Sequence, residues 1–306
     1  MNLLDDEFTK LVDIGVWPER KYFSPNDWLE NFTSEELPYA KRLLKSFIYF
    51  SDDMITQMFR SNFMAISKSI IPNSRKSNYG SADVEWHNFL DNCYIVKVTG
   101  EEPSDADSGY IFTRMARDIL GIPENRLKTV SEAFQIILSG VNAHFVFVDD
   151  FVGSGNQFVD FWQGYFDTPH CFETLAEDTL CTFHYIPIIC TEIGKLRIQQ
   201  DCTKVNLIAS HFIGKEHSAL HNQSYIWKGF KAGGPEFVKN ASIRAGIPQA
   251  NGRVQDNGDG TKLVSWEGFH KLGLAIGFKH GTPDATLPIF YFNERGWKPL
   301  INRDSL

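Results

Sequence analysis

Two adjacent carboxylates, Asp149 and Asp150, follow directly on the run His144-Phe145-Val146-Phe147-Val148, and Gly153-Ser154-Gly155-Asn156-Gln157 comes next. An apolar run of that length reads as a buried strand, which would deliver both acids to its C-terminal end. Small residues in the turn leave backbone N–H groups unencumbered where a helix begins, and this makes an anion site. Paired acids beside a phosphate cradle suit a ribose, whose two hydroxyls need acceptors, and one or both carboxylates can also hold Mg²⁺. The plainer reading is two exposed acids on an ordinary strand-to-helix turn with an N-cap. The coincidence of strand, acid pair and Gly-Ser-Gly turn favours a ligand.

The elements around this motif alternate in type. Cys93 to Val98 reads as a second buried strand, followed by a loop over 99–109 and a helix from Tyr110 to Leu120 stopped by Gly121 and Pro123. A helical piece spans Val130 to Leu138. Further β-like runs lie at 184–190 and 205–210, with helices at 157–166 and 192–199. Strands alternating with helices predict an α/β fold with a mainly parallel sheet flanked by helices. Upstream, the stretch to Ile71 reads as helical: Ser24-Pro25 and Thr33-Ser34-Glu35-Glu36 offer helix starts, and Leu43, Leu44, Phe47, Ile48 and Phe50 continue the spacing. A polar loop is expected over 72–82. Towards the C-terminus a helix is expected over 235–245, then β-like runs at 272–278 and 287–292 that edge the sheet or form a cap. The expected division is a helical extension over 1–82, a core over 83–213 and a C-terminal hood over 214–306.

Composition narrows the classes. The 306 residues are 42% hydrophobic and 22% charged, which is globular rather than disordered. No apolar run approaches the ~20 residues of a membrane span, and the acidic start Met1-Asn2-Leu3-Leu4-Asp5-Asp6-Glu7 lacks the layout of a signal peptide. A cytoplasmic location is the expectation. A net charge of −8 argues against a broad electrostatic grip on nucleic acid. The five cysteines are scattered and odd in number, as suits reduced core thiols, and no Cys-x-x-Cys pair supports the one imaginable zinc set, Cys171, Cys181, His184 and His170.

The segment from Phe145 to Gln157 resembles the phosphoribosyl-diphosphate signature of type I phosphoribosyltransferases: an apolar strand, two acids, two small or apolar residues, then a Thr/Ser-Gly phosphate loop. That resemblance implies a ribose-5-phosphate ligand, held by Asp149 and Asp150 with Mg²⁺ and by the turn Gly153, Ser154, Gly155, Asn156 and Gln157. It also implies a diphosphate loop after the preceding strand, here Thr99, Gly100, Ser108 and Gly109, with Arg114 as an anion partner from the next helix. Glu101, Glu102, Asp105 and Asp107 suit a naked diphosphate poorly, so either Mg²⁺ bridges them or the loop is a solvated turn. Two departures matter. Gly153 stands where many base-salvaging members carry an acid or threonine, and Gln157 replaces a threonine that often closes the phosphate loop.

The same motif, combined with Lys279-His280-Gly281-Thr282-Pro283-Asp284-Ala285-Thr286-Leu287-Pro288 and Trp297-Lys298-Pro299-Leu300, resembles the phosphoribosyltransferase-like family of bacterial conflict systems. This resemblance implies a helical N-terminal extension, a role in antiviral defence and a partner protein there. His280, Thr282 and Asp284 are candidates for the nucleobase end of a pocket, or simply a turn in which Pro283 sets φ and Asp284 bonds backbone. The chemistry expected of an active enzyme is phosphoribosyl transfer or nucleotide or nucleoside cleavage. The alternative is a non-catalytic nucleotide sensor or assembly subunit.

Overall fold

The computed structural model describes residues 9–19, 22–71, 79–98, 108–166, 168–249, 254–256 and 262–303. The chain divides into two compact units, one of residues 55–212 and one of residues 1–54 with 213–306. The sequence reading drew its lines at 82/83 and 213/214.

The unit 55–212 is built on a mainly parallel six-stranded sheet. Its strands are β1 (Cys93–Lys97), β2 (Leu127–Lys128), β3 (His144–Val152), β4 (Thr182–Thr191), β5 (Val205–Leu207) and β6 (His211–Ile213). They lie in the order β2-β1-β3-β4-β5, with β6 also paired to β4. Each of the four pairings along that path is parallel, with Lys97 opposite Val148 and Asp149 opposite Pro187. Parallel strands need crossovers, which helices Ser108–Leu120, Asn156–Gln163 and Glu192–Asp201 supply.

Both faces of the sheet are covered, which is why β3 reads as continuous apolar sequence rather than alternation. Phe145 and Phe147 join Phe158, Phe161, Trp162, Phe172, Phe183 and Tyr185 in one cluster. On another side Phe63 packs on Phe89, and Phe89 on the rings of His144 and His184. At about 1.5–3 kcal/mol per fully buried large apolar side chain, these aromatics account for the phenylalanine-rich composition. Thr129 and Glu132 close a capping box at the start of helix Val130–Leu138, where the expected helix falls.

The other unit joins the two ends of the chain. Strand Ile48–Phe50 pairs in parallel with Ile276–Phe278. Trp28 stacks on Phe290 at 5.4 Å and donates its indole N–H to the carbonyl of Ile289, which Trp297 also reaches. Asn31 bonds Lys298 through both its amide nitrogen and its oxygen. The Trp297 to Leu300 element thus closes on residues 24–31 of its own unit.

Several expectations are corrected here. Ile48–Phe50 is a strand, because Ile276–Phe278 provides a ladder that helical spacing cannot foresee. The run 287–292 contains a 3₁₀ turn, Pro288–Phe290, in which proline fixes φ and removes a donor. Only Ile276–Phe278 of the run 272–278 is strand, and its partner is Ile48–Phe50 rather than the six-stranded sheet. A helix, Tyr79–Asp91, already begins inside the expected 72–82 loop. Among the described residues no helix is long and apolar enough to cross a membrane.

Candidate functional site

The strand order 2-1-3-4-5 reverses direction between β1 and β3. In open α/β sheets the crevice beyond the carboxyl ends of strands at such a switch point is where ligands sit. Asp149 and Asp150 lie in the C-terminal half of β3, next to the end of β1.

The two acids have different surroundings. Asp149 is buried; its Oδ2 accepts the Tyr185 hydroxyl at 2.8 Å and its Oδ1 accepts the Asp150 backbone N–H at 2.9 Å. Burial, reinforced by the charge of Asp150, holds the Asp149 carboxyl well above the usual carboxylate range. Asp150 is half-buried and one of its oxygens accepts the Phe151 N–H at 2.7 Å. The strand continues past both, since Phe151 pairs with Ile189 and Val152 with Cys190.

The turn 153–155 is shaped from below. Thr191, the last residue of β4, caps helix Glu192–Asp201: its hydroxyl accepts the Gly194 N–H at 2.9 Å and donates to the Gly153 carbonyl. Gly155 has φ +82° and precedes helix Asn156–Gln163, a conformation costly to any residue with a Cβ. Gly194 lies so close beneath that a Cβ on it would sit 2.6 Å from the Gly153 oxygen. With that carbonyl pinned downward, the N–H groups of Ser154, Gly155 and Gln157 have no acceptor among the described residues, and Asn156 N–H has only the Ser154 hydroxyl at 3.3 Å. Unpartnered amides at a helix N-terminus form an anion cradle.

The remaining candidates fall elsewhere. Thr99 and Gly100 lie outside the described residues, while Ser108 and Gly109 open helix Ser108–Leu120. Arg114 is exposed on that helix; the carboxyl of nearby Asp118 is lowered chiefly by its hydrogen bond from Arg117, with the charges of Arg117 and then Arg114 adding to it. His280, Thr282 and Asp284 belong to the other unit. There His280 stacks on Phe278, Thr282 N–H donates to the Arg303 carbonyl, and Asp284 pairs with the Arg303 guanidinium. The Thr282 hydroxyl is buried without a partner.

A family model described as PRTase-CE, a phosphoribosyltransferase-like family, matches residues 25–303. The chain belongs to the PRTase-CE family. No curated protein matches it. Among solved structures, orotate phosphoribosyltransferase from Aeropyrum pernix is similar at 13% identity and a TM-score of 0.26, over 50% of this chain and 72% of that one.

In this PRTase-CE member, sequence reasoning missed the residues that shape the site from the neighbouring strand and the helix after it: Tyr185, Thr191 and Gly194. Thr191-Glu192 before a helical run was a cap signal, but nothing local in sequence ties it to Gly153. Cys93, Cys190 and Cys202 are packing groups: burial raises all three thiols, Cys190 and Cys202 to about 12. No group of three or more metal-ligating side chains occurs among the described residues, so Cys171, Cys181, His184 and His170 form no such cluster.

Proposed function

We propose that this PRTase-CE protein binds a ribose 5-phosphate-containing ligand, phosphoribosyl diphosphate or a nucleotide, and transfers or cleaves its phosphoribosyl group. The observation that carries this reading is the pairing, at one switch point, of an acid pair with a turn whose amides lack acceptors. The turn of Gly153, Ser154, Gly155, Asn156 and Gln157 would take the 5-phosphate, and the acid pair the ribose hydroxyls. The arrangement also fits Mg²⁺, which commonly uses one or two carboxylates plus phosphate oxygens of its substrate. Asp150, half-buried with Asp149 behind it, is the carboxylate suited to hold the ion, whose charge would neutralise a departing diphosphate. Little covalent work would fall to the protein, because holding the anomeric carbon and its acceptor in line supplies much of the rate.

The segment that includes Thr99 and Gly100, with Ser108, Gly109 and Arg114, would serve the diphosphate. The resemblance of the tail to conflict-system proteins supports antiviral defence, with nucleotide depletion or modification as the consequence and a defence partner protein. One observation favours a non-catalytic sensor instead: Gly153 has no side chain to act on a base, and its carbonyl is committed to Thr191.

Phosphoribosyl diphosphate and common nucleotides, titrated with and without Mg²⁺ and followed by thermal melting and mass spectrometry, test the reading. Binding raises the melting temperature, and Asp150→Asn abolishes the rise. Turnover identifies an enzyme and saturable binding without turnover a sensor; no rise with any ligand refutes both.

A further inference from the structure

The two acids stand side by side in sequence and their carboxyls act on each other, yet their surroundings differ. Asp149 shares its face with Phe147 and lies diagonally across from Tyr185, which is opposite Phe147 in register. On that face it is 6% exposed and Tyr185 1%. Both Asp149 oxygens are engaged, by the Tyr185 hydroxyl and the Asp150 N–H. The Tyr185 ring lies flat on Phe158 at 3.8 Å, and Phe158 stands in the first turn of the helix that opens at the phosphate turn. Turning Asp149 outward would strip a fully buried hydroxyl of its acceptor and free the N–H of the neighbouring acid, a double loss of buried hydrogen bonds.

We propose that Asp149 and Tyr185 form a buried positioning pair that aims Asp150 at the ribose hydroxyls, so that of the two acids only Asp150 touches the ligand. This rests on the ribose 5-phosphate reading above and divides the roles of its acid pair. Tyr185 fixes the carboxylate of Asp149, Asp149 fixes the Asp150 peptide, and the stacked Phe158 couples that register to the helix carrying the phosphate amides.

The probes are ribose 5-phosphate and inorganic phosphate, titrated calorimetrically into the full chain. Phosphate reports the turn alone; ribose 5-phosphate reports the turn and the acid. Tyr185→Phe removes one oxygen, and is expected to weaken ribose 5-phosphate about tenfold while moving phosphate less than twofold. Asp149→Asn tests the same link from the other side, and the double variant should be no weaker than the weaker single, because both break one chain of contacts. Equal weakening of both probes would mean a merely structural role and overturn the proposal, as would unchanged ribose 5-phosphate affinity in Tyr185→Phe. A loss in Asp149→Asn as deep as in Asp150→Asn, without one in Tyr185→Phe, would make Asp149 a ligand contact and overturn it too. If Asp150→Asn itself leaves the affinity unchanged, the ribose reading falls, and the positioning role with it.

Discussion

Replacing Gly194 by alanine tests whether the turn 153–155 is held from beneath. The added methyl would lie 2.6 Å from the Gly153 oxygen, 2.7 Å from Val152 Cγ1 and 3.4 Å from the Gly155 nitrogen. Real Cβ contacts essentially never fall below 3.0 Å, so the Gly153 carbonyl has to retreat by at least 0.4 Å, from 2.6 to 3.0 Å. It is backbone and cannot swing aside as a long side chain would. Overpacking of this kind costs about 1–3 kcal/mol, and alanine over glycine inside a helix returns about 1 kcal/mol. The net loss is about 0–2 kcal/mol, a fall in melting temperature of at most about 8 °C for a unit of this size. Ligand binding should suffer more. The same displacement misaligns the amides proposed to meet a phosphate oxygen, where one hydrogen bond is worth about 1.5–3 kcal/mol, a tenfold loss or greater. Urea denaturation and calorimetric titration with phosphoribosyl diphosphate measure the two effects on one preparation. Affinity within twofold of the parent, in a variant that folds, would refute the idea that Gly194 sets the shape of the turn.

Thr191→Val removes the hydroxyl that joins the Gly153 carbonyl to the Gly194 N–H, and should cost about 1–3 kcal/mol in urea denaturation; Thr191→Ser, which keeps the hydroxyl, should recover most of it. His184 is buried beside His144, Thr182 and Asn206, and burial lowers its pKa from 6.5 to about 4, with His144 adding to the effect. The unfolded chain therefore takes up a proton that the folded chain refuses: its contribution is complete above pH 6.5 and is lost as pH falls to 4, about 3 kcal/mol in all at 1.36 kcal/mol per unit. His184→Gln should flatten that acid limb in a pH series of denaturation midpoints, and an unchanged slope would count against the assignment. Asp149 has the opposite sign, its folded pKa being raised chiefly by burial. Its contribution is present below the unfolded pKa near 3.9 and is lost as pH rises through the folded value. The stability of Asp149→Asn relative to the parent should thus grow as pH rises above about 3.9, and a gap that narrows would refute this.

What sequence could reveal depended on the range of the forces involved. Helix Val130–Leu138 was legible because its cap, Thr129 with Glu132, lies within four residues. Strand β3 was legible as an apolar run, yet its end was not: the acids look like the start of a turn, while pairing to Ile189 and Cys190 keeps the strand going to Val152. The Gly-Ser-Gly turn showed its conformational freedom, and Gly155 at φ +82° uses it. The reason Gly153 can bear no larger neighbour beneath it lies 41 residues away at Gly194. Ile48–Phe50 was misread because its ladder partner is more than 220 residues distant, at Ile276–Phe278.

That distinction bears on how the acid pair is understood. From composition and spacing alone, Asp149 and Asp150 are equivalent: two carboxylates, one residue apart, at the end of one strand. The structure makes them inequivalent: Asp149 is buried against the Tyr185 hydroxyl, while Asp150 is half-buried. What decides which one is buried is then the identity of the cross-strand neighbour. Tyr185 supplies a hydroxyl to the Phe147 face; a phenylalanine there would remove that donor and push the Asp149 carboxyl, already raised by burial, further up. The choice of tyrosine at 185 therefore belongs to the site as much as the acids do. It is a choice that no reading of residues 144–157 by themselves can detect.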